Sequence, residues 1–95
     1  MTNLVLDGER VETAVSEYIG RCEVILDHVF FAHDAVREFR VWARRRFKKG
    51  DVLVLLHDAP LDMVCRYLGK RPSQLSASEL ERATRVALEN GWART

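Results

Sequence analysis

Cysteine and proline are scarce in this chain of 95 residues, at two each, and net charge is nearly absent at +1. Two cysteines cannot form the multi-bridge framework of a small stapled scaffold. Cys22 and Cys65 each fall on the apolar side of a predicted helix, where reduced, buried thiols are expected rather than a bridge. The five glycines are scattered as turns and stops, so no glycine-rich phosphate loop is present. The longest apolar run, Val52 to Leu56, is far too short to cross a bilayer, and Met1 to Arg10 lacks the long apolar stretch of a secretory leader. The expectation is a cytoplasmic protein with no membrane contact.

What is present is a small globular composition. A hydrophobic fraction of 47% and a charged fraction of 31% are ordinary for a folded domain, so disorder of the whole chain is not expected. The length suits one domain over residues 1–95, burying about 60–65% of its unfolded surface.

The near-neutral total hides an uneven distribution. Residues 9–34 hold six acids and two bases, whereas residues 35–50 hold seven Arg or Lys and one Glu. Residues 51–95 balance at six of each. Charge asymmetry of this kind says more about partners than net charge does.

The periodicity is helical. Val11, Val15, Tyr18, Cys22, Ile25 and Val29 recur at spacings of three and four, and Ala14, Ile19, Leu26 and Phe30 widen the stripe. They predict a first helix from about Arg10 to Phe31, with Glu9, Glu12, Glu23 and Asp27 on its flank. His33-Asp34 offers a break, with Asp34 as the cap of a second helix over Ala35 to Lys49 that stops at Gly50. Val52 to Leu56 reads equally as a short strand or as a turn and a half of helix. A third helix is expected from Asp58 and Pro60 to Leu68, with Leu61, Val64, Cys65 and Leu68 inward and Gly69 closing it. After a loop over Lys70 to Ala77, Ser78 with Glu81 makes a capping box, and Ser76 with Glu79 makes a second candidate. The last helix runs to about Asn90, with Leu80, Ala83, Ala87 and Leu88 inward and Gly91 ending it. The fold class is therefore mainly α: a small domain of four helices, a long N-terminal hairpin plus two shorter helices.

Only the basic second helix suggests a contact surface. At 100° per residue, Arg37, Arg40, Arg44 and Lys48 lie within about 80° of arc, apart from the apolar face of Val36, Phe39, Ala43 and Phe47. The planar guanidinium fork matches phosphate, and Trp42, beside Arg45 and Lys49, could stack on a base. Arg37, Arg40, Trp42, Arg44, Arg45 and Lys48 are thus candidates for contact with nucleic acid, in a regulatory module without enzymatic activity. The alternative is a protein–protein adaptor or homodimer, in which the basic face meets an acidic protein surface; the acidic flank of the first helix is one such surface, and it can complement the basic helix within the monomer or across a homodimer. The straddling aromatics Phe30, Phe31, Phe39, Trp42 and Phe47 are expected mostly in the core, with a dimer interface as the other outlet. An overall pI near 7.8 is low for a dedicated nucleic-acid binder.

Other chemistries are weaker. Leu61 to Ser78 can be laid on a helix-turn-helix template with Gly69 in the turn, although Lys70 stands where an apolar residue usually packs. His28 and His33 are five residues apart, about 140° around a helix, and do not make the same-face pair that zinc favours. Neither a metal nor a cofactor is expected. Cys65 shares a face with Leu61, Val64 and Leu68, which suits core better than an activated thiolate. A pocket collecting His57, Asp58 and Cys65 is what an enzyme would require.

Overall fold

A computed structural model describes residues 8–46 and 60–92, with side chains from residue 12 onward. Among these residues there are four α-helices and no strand: α1 (Gly8–Val29), α2 (Ala35–Arg46), α3 (Pro60–Leu68) and α4 (Ala77–Glu89). A short 3₁₀ turn, Pro72–Gln74, lies between α3 and α4. The expected strand or turn at 52–56 and the expected end of α2 at Lys49 and Gly50 lie outside the described residues.

The apolar stripe of α1 makes it the hub. Val15, Tyr18, Ile19, Cys22, Ile25, Leu26 and Val29 are all buried, and α2, α3 and α4 each pack against α1. Phe39 and Ala43 of α2 and Met63 and Val64 of α3 complete the centre, with Ala83 and Val86 of α4 closing one side. Two inward faces differ from expectation. On α3 it is centred on Met63, Val64 and Cys65, while Leu61 and Leu68 are half-buried. On α4 it is Ala83 and Val86, leaving Leu80 and Leu88 exposed, because the small side chain of Ala83 lets that edge settle onto α1.

The helix ends explain the turns. Gly69 and Gly91 carry the positive φ of 72° that closes α3 and α4, with Lys70 N donating to Cys65 O at 2.9 Å and Trp92 N to Ala87 O at 2.8 Å. α1 stops at Val29 rather than Phe31, because Phe31 itself adopts a φ of 52° and the Ala32 amide turns back to Leu26 O at 3.1 Å. The ring of Phe31 is consequently exposed, not core. Arg82 of α4 braces this end, donating to Val29 O at 3.5 Å and lying over the Phe31 ring at 4.8 Å. At the start of α2, the amides of Ala35 and Val36 donate to the carbonyls of Ala32 and His33, so the bonds expected from an Asp34 cap are made by backbone.

Of the two capping boxes, α4 uses Ser76. Its hydroxyl accepts from Glu79 N at 3.1 Å while Glu79 Oε1 accepts from Ser76 N at 3.0 Å. Buried Leu75 immediately before the cap fixes this entry point, so Ser78 falls within the helix. The path from Leu68 to Ala77, with its own 3₁₀ turn, is longer than the three or four residues of a helix-turn-helix, so that template does not describe α3 and α4.

Candidate contact face on the second helix

The six residues expected to face a polyanion separate into two groups. Arg40 and Arg44 lie on the flank of α2 next to α1. Arg40 donates from Nη2 to Glu23 Oε1 at 2.9 Å; Arg44 donates to Glu12 Oε2 at 3.3 Å and to Ser16 Oγ at 3.1 Å. The acidic flank of the first helix therefore meets the basic helix within one chain. These two guanidiniums are engaged by their own molecule.

Arg37 and Arg45 are exposed and have no carboxylate partner among the described residues. Trp42 is half-buried, with the Arg46 guanidinium over its ring at 4.3 Å from the centroid. Lys48 lies outside the described residues. Of the predicted cationic stripe, Arg40 and Arg44 are thus held against α1 and Arg37 is open, while Arg45 lies beyond the stripe on the outer side of α2.

The open side carries a pattern that charge counting alone missed. Glu38, Val41, Trp42 and Arg45 follow the spacing i, i+3, i+4, i+7, which sets four side chains in one row. With Arg46 they line an open groove of about 560 Å³. Val41 at its centre is 55% exposed. The signal was in the sequence as this second row, opposite neither the core face nor the Arg40/Arg44 edge.

Aromatic packing makes this face rigid from below. Phe39 is fully buried and meets Tyr67 of α3 edge-on at 5.2 Å and Trp42 at 5.8 Å; Trp42 and Tyr67 lie 5.3 Å apart at 66°. Offset and edge-on pairs of this kind each contribute about 0.5–1.5 kcal/mol beyond burial. Burial pushes the Tyr67 phenol above its ordinary pKa, and the nearby Glu38 carboxylate raises it further.

Asp27 pairs with His33 and lies 3.7 Å from His28 Nδ1, which also bonds the Val24 carbonyl at 3.0 Å. Among the described residues there is no group of three or more His, Cys, Asp or Glu placed to hold a metal ion. His57 and Asp58 lie outside the described residues. Cys65 is buried, and burial raises its thiol pKa. No described helix is long and apolar enough to cross a membrane. Comparison with protein-family models, curated proteins and solved structures gives no match.

Proposed function

We propose that this protein is a non-enzymatic binding module that docks another protein through the outer face of α2. The observation that carries the reading is the row Glu38, Val41, Trp42 and Arg45, open to solvent while Arg40 and Arg44 are held by Glu23 and Glu12. Trp and Arg side chains around an exposed aliphatic centre, on a support that does not move, are the composition of interface hot spots. An exposed apolar centre and two quenched arginines beside it suit a protein surface better than a phosphate backbone.

A photo-cross-linking side chain in place of Val41 tests this in cells. The expected product is a discrete, nuclease-resistant protein adduct, lost when Trp42→Ala is added and absent when the cross-linker replaces Arg85 on α4. Nuclease-sensitive adducts, or no adduct above the position-85 control, would overturn the reading.

Nucleic acid is the second reading, and Arg37 and Arg45 favour it because neither has a carboxylate partner among the described residues. It requires affinity for DNA or RNA at low salt that weakens steeply as salt rises.

A further inference from the structure

Resting on the protein-docking reading, we infer that the occupant of the α2 face is an acidic amphipathic helix of a partner protein. Three features of the face define that chemistry. Its side chains project at i, i+3, i+4 and i+7, the spacing that a second helix packs against by laying a ridge of its own into the groove. Its centre is apolar: Val41 is more than half exposed and Trp42 is fixed against Phe39 and Tyr67. Its rim is cationic, because Arg37, Arg45 and Arg46 are exposed against a single acid, Glu38.

The partner helix therefore presents leucine-like side chains to Val41 and Trp42 and carboxylates to Arg45 and Arg46. Arg46 needs no rearrangement to take part. It is already stacked on Trp42, leaving its N–H edge to donate to a carboxylate while its plane stays on the ring. α2 spans 12 residues, about 18 Å, which matches three turns of a partner helix. A second copy of the chain is a poorer occupant, since two such faces would bring three arginines against three with one glutamate each.

Two synthetic helices test the inference. Both are roughly 18 residues long with the same leucine row at i, i+3, i+4 and i+7; one is flanked by Glu and the other by Lys. Binding to the whole protein is read by fluorescence anisotropy at about 50 mM salt, beside a single-stranded oligonucleotide of roughly 20 nucleotides. The expected result is at least about ten-fold tighter binding of the Glu-flanked helix, with the preference inverted in Arg45→Glu/Arg46→Glu. Val41→Glu is a second variant, expected to abolish binding of the Glu-flanked helix while circular dichroism stays unchanged.

Equal affinity for the two helices overturns the acidic partner while leaving protein docking standing. Tighter binding of the oligonucleotide than of either helix overturns both readings. A dimer of the protein alone, dissociated by Val41→Glu, assigns the face to a second copy and overturns the inference.

Discussion

Arg40 and Glu23 join α2 to α1 through a guanidinium–carboxylate contact of 2.9 Å across 17 residues of sequence. The carboxylate end is 14% exposed and the guanidinium 61%, so the pair sits at the lip of the helix seam rather than inside it. The buried Phe39 and Ala43 set how α2 lies on α1, and the ion pair closes the edge of that seam.

A double-mutant cycle on Arg40→Ala and Glu23→Gln, followed by urea unfolding, is expected to give a coupling of about 0.5–1 kcal/mol that shrinks with added salt. The matching cycle on Arg44 and Glu12, whose side chains are 47% and 72% exposed, is expected below that range. Coupling near zero for Arg40 and Glu23 would remove the seam contact from the account.

The hairpin seam marks where sequence reading stops. Val15, Tyr18, Cys22, Ile25 and Val29 announce the core of α1, because one helix's period depends only on local spacing. Whether Arg40 meets Glu23 depends on the angle at which α2 crosses α1, which no local pattern encodes. Val41 lies outside the predicted apolar face of Val36, Phe39, Ala43 and Phe47, and only the packing of Phe39 and Ala43 shows that it faces outward. Leu80 and Leu88, expected inward and found exposed, depend on packing in the same way.

Ser76→Ala is expected to lower stability by about 1 kcal/mol, whereas Ser78→Ala stays within about 0.5 kcal/mol. Glu79 is held below its ordinary pKa, chiefly by its bond from the Ser76 amide. A lowered carboxylate pKa contributes stability above the unfolded value near 4.5 and loses it as pH falls through the folded value. Thermal melts from neutral to acid pH therefore drop less steeply in Glu79→Gln than in the parent protein. Both capping boxes match the same sequence rule; only the burial of Leu75 separates them.

Phe31 holds a left-handed conformation that glycine adopts readily and alanine does not. Because Phe31→Gly and Phe31→Ala both remove the ring under Arg82, their difference isolates the backbone. The glycine variant is expected to be more stable than the alanine variant by about 1 kcal/mol in urea unfolding, and equal stability would contradict the assignment of strain.

Cys22 is fully buried, and desolvation pushes its thiol up to about 12. Its Sγ also lies 3.6 Å from the Pro60 carbonyl. Labelling by a thiol reagent at mildly alkaline pH is expected to be slow for Cys22 in the native protein and fast in urea, following global opening. Rapid native labelling of Cys22 would show that α3 lifts from α1.

The separation of Arg40 and Arg44, held against α1, from Arg45 and Arg46 on the outer face is tested most directly by two charge reversals in the position-41 cross-linking assay. Arg40→Glu/Arg44→Glu is expected to lower the melting temperature while leaving adduct yield per folded molecule unchanged. Arg45→Glu/Arg46→Glu is expected to keep the melting temperature and abolish the adduct. Loss of the adduct in the first variant with its fold intact would contradict docking through the outer face of α2, and full retention in the second would contradict an acidic partner there.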